Sequence, residues 1–257
     1  ADDGGSSGRL RASVPGLPAP GDVRRCLGAL ADPDVALGQV LEHRIEAGED
    51  AGHALGNLVI VGLAQDLGSF GAAVDEVARQ VGAVGRVLPA TSVAVDLEAE
   101  VADAGEGPGT VRGQVAVAGS RSIDTVHLVP ADAPSPPEVG EAILAAEQVV
   151  LGPGSLFTSV LAAAVVPAVR SALAETSARR VLVANLRPQE PETAGLAVAD
   201  EVAALARHGI EVDDVLVDPL RTDDTGEGAT CCPVADERGL VHDPERLAAA
   251  LSRLVTG

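Results

Sequence analysis

Two polar stretches carry residue types that could do chemistry. The first, "ADDGGSSGRLR" at residues 1–11, gathers carboxylates, hydroxyls and a guanidinium around glycines. Gly4, Gly5 and Gly8 let backbone N–H groups approach a ligand closely. Asp2 and Asp3 accept hydrogen bonds, Ser6 and Ser7 donate or accept, and Arg9 can grip a phosphate bidentately. The same composition also suits a disordered leader, and on composition alone both readings stand. The second stretch, "VVLGPGSLFTSVLA" at residues 149–162, reads as strand, turn and helix. The free N–H groups and positive dipole of a helix N-terminus favour an anion there. Ser155, Thr158 and Ser159 add hydroxyls. The turn is neither a P-loop, since it has no lysine, nor GxGxxG, and an ordinary βα turn with a capping serine is the plain alternative.

Composition bounds what these stretches can serve. The 257 residues are 46% hydrophobic, enough for a sizeable core and against global disorder. With two Phe and neither Trp nor Tyr, that core must be built from Ala, Val and Leu, which suits helices packed on a buried parallel sheet. All 18 basic residues are arginine, so Schiff-base and P-loop lysine chemistry are excluded. A net charge of −20 argues against nucleic acid or an anionic membrane as the main partner. Cys26, Cys231 and Cys232 form neither a disulfide framework nor a zinc motif, which makes the cytoplasm the default compartment. The longest apolar stretch, residues 156–169, is closed by Arg170 and is shorter than the ~20 residues a membrane span requires.

The elements that must position these stretches follow from periodicity. Helices are expected over "GDVRRCLGALA" with Asp22 as N-cap, "PDVALGQVLEHRI", "GHALGNLVIVGLAQDLG" with Gly56 at a close contact, and "FGAAVDEVARQVG" stopped at Gly82. Three alternating runs between Arg86 and Pro130, "VAVDLEAEVA", "TVRGQVAVAG" and "IDTVHLVPA", predict an antiparallel insert with a turn at "DAGEGPG". Beyond Glu141 the pattern is helix, buried strand "EQVVLG", an apolar helix to about Glu175, strand "RRVLVANL", a helix closed by Gly209, strand "VDDVLVDP" and a last helix with Pro244 in its first turn. The expected class is α/β: a doubly wound, mostly parallel Rossmann-like sheet with helices on both faces and a small antiparallel β insert.

Read in order, "ADDGGSSGRLR", "PAPGDVRRCLGAL", "GHALGNLVIVGL", "GRVLPAT", "LGPGSLFTS" and "ANLRPQEPETAGL" resemble the YvcK or gluconeogenesis factor family of the CofD-like superfamily. Members normally start earlier, with a strand and a "GGGTG"-type loop. The resemblance therefore implies one CofD-like domain over 1–257, N-terminally truncated by a βαβ unit of about 30 residues, with the insert at 86–130. A sheet short of one central strand is then expected to bind ligand weakly or not at all. The resemblance also implies a cytoplasmic regulatory protein that binds a nucleotide-sugar such as UDP-N-acetylglucosamine and affects cell shape and wall synthesis during gluconeogenic growth. It needs no cofactor and has no catalytic residue. Partners it admits are the nucleotide-sugar, a second copy in a homodimer and a regulatory protein, with no nucleic acid and no membrane span.

Carried over residue by residue, the ligand would meet Asp2, Asp3, Gly4, Ser6, Ser7, Gly8 and Arg9, the turn Gly21, Asp22 and Arg24, then Gly56 and Asn57, the second turn Gly152, Gly154, Ser155 and Thr158, and Asn185. Bland readings stand beside several: Asp22 as a helix cap, Asn57 as a satisfied buried amide, Arg24 and Arg25 as surface charges, His53 as structural. Departures from the family pattern include Arg25 for Asn, Ala54 for Ser, Phe157 for Tyr, Arg187-Pro188 for Met-Thr, and a tail that keeps His242 and Asp243 but lacks the preceding Arg and a nearby Tyr. The alternative function is a CofD-like transferase that moves 2-phospho-L-lactate from a guanosine diphosphate conjugate to the deazaflavin alcohol Fo. That chemistry would call for Mg2+, for which Asp2 and Asp3 are the candidate ligands.

Overall fold

A computed structural model describes residues 1–102, 107–221, 223–226 and 228–256. The N-terminal part is helical: α1 (Gly5–Ser13), α2 (Gly21–Leu30), α3 (Ala36–Val40), α4 (Leu55–Leu67) and α5 (Phe70–Gln80). Leu27, Leu41, Ile60, Phe70, Val74 and Val77 form their common core. Gly82 turns the chain out of α5 with φ +63°, the left-handed stop expected of a glycine.

Three features here differ from the sequence expectation. Residues 5–13 form a helix instead of a loop, because Gly4 stays extended as the N-cap while Ser6, Ser7 and Leu10 turn inward and are buried. Asp22 does not cap α2: Pro20 occupies that position, and the Asp22 carboxylate lies exposed, 3.4 Å from Arg25. The helix expected through residue 45 ends at Val40, because the next carbonyls are spent elsewhere. Leu41 O and His43 O accept from Gly56 and Leu55 N–H at 3.1 and 2.8 Å, satisfying the opening donors of α4 that have no intrahelical partner.

Next comes the antiparallel sheet, β1 (Asp96–Val101), β2 (Gly109–Arg112) and β3 (Ile123–Val129), in the order β2-β1-β3. The expected turn between its first two strands falls partly outside the described residues. "QVAVA", read as strand from its alternation, is the short helix α6 (Gln114–Ala118). Gly113, at φ +102°, breaks the strand, and Asp3 Oδ1 accepts from Val115 N–H at 2.9 Å, so the cap arrives from the far N-terminus.

The parallel sheet follows: α7 (Pro137–Leu144), β4 (Gln148–Leu151), a π-helical turn (Leu156–Leu161), α8 (Ala162–Ala164), α9 (Pro167–Glu175), β5 (Arg179–Val183), α10 (Val198–Arg207), β6 (Asp214–Val217), β7 (Thr230–Cys231) and α11 (Pro244–Thr256). The strand order is β4-β5-β6-β7, all parallel. Alternate residues face opposite layers. Leu182, Val215 and Val217 pack with Val198 and Leu205 of α10, whereas Val181, Val183 and Leu216 pack with Ala250 of α11. β4, expected to be buried, is an edge strand with Val150 38% exposed. The single apolar helix expected to Glu175 is two segments bent by 77°, since Pro167 lacks the N–H that would continue it. No single helix among the described residues is long and apolar enough to cross a membrane.

The antiparallel sheet meets the end of α10 at a histidine. Val126 N–H of β3 donates to His208 Nε2 at 2.9 Å, and His208 Nδ1 lies 2.7 Å from Ala204 O. A ring accepting at Nε2 and donating at Nδ1 is neutral. Burial pushes the His208 pKa below its ordinary 6.5, against the opposing pull of the Ala204 carbonyl. The unfolded chain therefore binds this proton more readily, so the contribution is fully present above 6.5 and is lost as pH falls towards the folded value. Urea unfolding is expected to show stability dropping between pH 7.5 and 5.5, with a shallower drop in His208→Gln.

Candidate functional site

The carboxyl ends of β4 and β5 carry the glycine turn. Gly152 and Gly154 have φ of +82° and +156°, and a Cβ on Gly152 would lie 3.0 Å from Val183 O, so both the conformation and the space require glycine. Asn185, just beyond β5, locks the turn from both sides. Its Oδ1 accepts from Gly154 N–H at 3.1 Å and its Nδ2 donates to Gly154 O at 2.7 Å.

The helix start behind this turn is already occupied by an internal anion. Glu192 Oε1 accepts from Phe157 and Thr158 N–H at 2.7 and 3.1 Å, and Oε2 accepts from the Thr158 hydroxyl at 2.8 Å. Glu192 and Thr158 are each 4% exposed. Thr158 is thus placed in the turn, but its donors serve Glu192. Ser155, the residue before this helical turn, is half-buried, and Leu156 is buried like Phe157 and Thr158.

A second cluster forms around α1. Asn57 Nδ2 donates to Ser6 Oγ at 3.0 Å and lies 3.4 Å from Ser7 Oγ, while Asn57 Oδ1 is buried without a partner among the described residues. A Cβ on Gly21 would meet Ser7 Oγ at 2.4 Å and Asp2 Oδ2 at 2.5 Å, so α2 starts directly against these groups. Asp2 Oδ1 accepts from Gly4 N–H at 2.9 Å. A Cβ on Gly8 would lie 1.9 Å from Asp3 O, which makes glycine obligatory there.

The clusters are joined through α6. Asp3 holds its first turn, and Gln114 Nε2 donates to Thr158 O at 2.8 Å. Asp2, Asp3, Gly4, Ser7, Gly21 and Asn57 are thereby tied to Gly152, Gly154, Ser155, Thr158 and Asn185. Other sequence candidates point elsewhere. Arg24 is buried, paired with Glu42 at 2.9 Å, and Gly56 is the surface on which it lies, since a Cβ there would sit 2.8 Å from Arg24 Cγ. Arg9 Nε donates to His53 Nε2 at 3.1 Å.

That last bond ties α1 to the loop before α4. Ser6 Oγ lies 3.0 Å from His53 Nδ1 and accepts from Asn57 Nδ2 at 3.0 Å and from Ala54 N–H at 3.3 Å. The Ser6–His53–Arg9 chain is a brace for α1.

Sequence reasoning missed Glu192, Gln114 and Arg221. Arg221 Nη1 donates to Asn185 O at 3.0 Å and lies 3.3 Å from Glu201, with Asp223 at 2.5 Å on the other nitrogen. Burial pushes the Glu201 carboxyl up, against the pull of Arg221. Glu192 lies within the stretch "ANLRPQEPETAGL" but was not singled out, and each of the three acts through chain segments distant in sequence.

Comparison with known proteins places this geometry. The chain matches the family model described as 2-phospho-L-lactate transferase CofD over residues 1–249. It belongs to this family. A Mycobacterium leprae protein is 41% identical over 281 residues, spanning 100% of this chain and 78% of its own length. The "Gluconeogenesis factor" of Halalkalibacterium halodurans is 40% identical over 223 residues, spanning 84% of this chain and 67% of its own length. The crystal structure of a UPF0052 family member from Bacillus halodurans superposes with a TM-score of 0.88 at 34% identity, covering 100% of this chain and 88% of that one. The gluconeogenesis factor resemblance and the α/β class expected from sequence both hold.

Glu192→Ala strands two backbone N–H groups and a hydroxyl, and is expected to cost about 2–4 kcal/mol in urea unfolding. Glu192→Gln, which keeps an acceptor, is expected to recover more than half of that loss.

Proposed function

We propose that the chain is a non-enzymatic regulator that binds a nucleotide-sugar, with the diphosphate on the Gly152–Leu156 turn and the polar groups around Asp2, Ser7 and Asn57 facing the rest of the ligand. The observation that carries this reading is the Asn185 clamp on Gly154, which fixes a glycine turn at the sheet's carboxyl end, just before a helix start. A further feature supports it. Relatives carry the name gluconeogenesis factor, which suits a factor acting in the cytoplasm on carbon flux, cell shape and wall synthesis.

The transferase reading is favoured by the description of the family model itself. Its Mg2+ would fall to Asp2 and Asp3, whose carboxylates already accept from Gly4 N–H and Val115 N–H. Among the described residues no three His, Cys, Asp or Glu side chains gather as a metal cage. An ion held by these two carboxylates would need the diphosphate to complete its shell.

Against the weak binding expected from sequence, isothermal titration with UDP-N-acetylglucosamine is expected to give measurable, saturable binding, the ligand recovered unchanged, and roughly tenfold weaker binding by Gly154→Val, which disfavours the φ of +156° that the turn requires. Turnover of a guanosine diphosphate conjugate of phospholactate with Fo and Mg2+, without nucleotide-sugar binding, would establish the transferase instead.

A further inference from the structure

Next to Asn185 lies a cavity of about 360 Å³ whose walls are Leu186, Arg187, Pro188, Leu196, Leu220 and Arg221. Leu220 is 53% exposed, although a side chain of that type is normally covered. Arg221 is buried and neutralised by Glu201 and Asp223. Arg187 is different: it is exposed and its Nη2 donates to Gly239 O at 2.6 Å, which fixes one end of its guanidinium at the rim.

We infer that this cavity seats the planar base of the nucleotide, with the Arg187 guanidinium as its stacking surface and Leu186, Leu196 and Leu220 as apolar walls. The inference rests on the nucleotide-sugar reading above, since Asn185 stands between the cavity and the diphosphate turn: its side chain holds Gly154 and its carbonyl holds Arg221 of the cavity wall. The chemistry of the chain leaves few other ways to hold a base. It has no Trp or Tyr, and its two phenylalanines, Phe70 and Phe157, are buried in cores. A planar guanidinium stacks on a π-face where an ammonium does not. The volume is in the range of ligand pockets, with apolar walls and a few polar groups at the rim. Arg187 is thereby a specificity-determining residue.

The test is titration calorimetry with UDP-N-acetylglucosamine and, separately, inorganic pyrophosphate, on the unaltered protein, Arg187→Ala and Arg187→Lys. Arg187→Lys keeps the charge and loses the plane. It is expected to weaken nucleotide-sugar binding by roughly tenfold, the scale of one stacked base, while pyrophosphate binding stays within about twofold. Leu220→Trp, which fills the cavity from its exposed wall, is expected to give the same split. Unchanged nucleotide-sugar affinity in both Arg187 variants would overturn the base site and leave the nucleotide-sugar reading standing. Failure of the unaltered protein to bind the nucleotide-sugar would overturn both.

Discussion

Buried between the two sheets' loops, the Glu192 carboxylate takes three hydrogen bonds from the start of the π-helical turn. A helix start leaves N–H groups without internal partners, and burying them unpaired costs about 1–3 kcal/mol each. A carboxylate there also meets the positive end of the local dipole. With Phe157 and Thr158 satisfied in this way, the turn can be buried at its rear and still open at its front, where Gly154 is held by Asn185. The division of labour is local: Glu192 fixes the scaffold, and the residues immediately before it face the ligand.

The same logic of borrowed caps runs through the chain. Asp3 caps α6 from over a hundred residues away, and Leu41 and His43 lend their carbonyls to α4. Each such bond ties two segments that the helices alone would leave independent. Gln114, on α6, then passes this constraint to the carbonyl of Thr158. The α1 cluster and the glycine turn are held in one arrangement by these single hydrogen bonds more than by a shared apolar core, since α2, α4 and α5 bury their own cluster apart from that of the sheets.

Much of this was legible in sequence where one period dominated. The helices α2, α4, α5 and α10, the strands β5 and β6, and the close contact at Gly56 follow from repeating apolar positions and a glycine. Sequence reading failed where distant groups decide. "QVAVA" alternates like a strand, but Asp3 and Gly113 make it a helix. Residues 5–13 have the composition of a loop, but Ser6 and Ser7 find buried partners on Asn57 and His53. The turn was expected to leave its helix start open to an anion; Glu192, in the unremarkable run "QEPET", takes part of it. No local pattern announces a carboxylate that will fold back over thirty residues.

Nuclear magnetic resonance of the backbone amides during titration with UDP-N-acetylglucosamine tests the central claim, that the mouth of the turn binds ligand while its rear is sealed by Glu192. The account predicts the largest shifts at Gly154, Ser155 and Leu156, with Phe157 and Thr158 amides little moved. Shifts confined to residues outside the turn, or displacement of the Phe157 and Thr158 amides from Glu192 on binding, would contradict it.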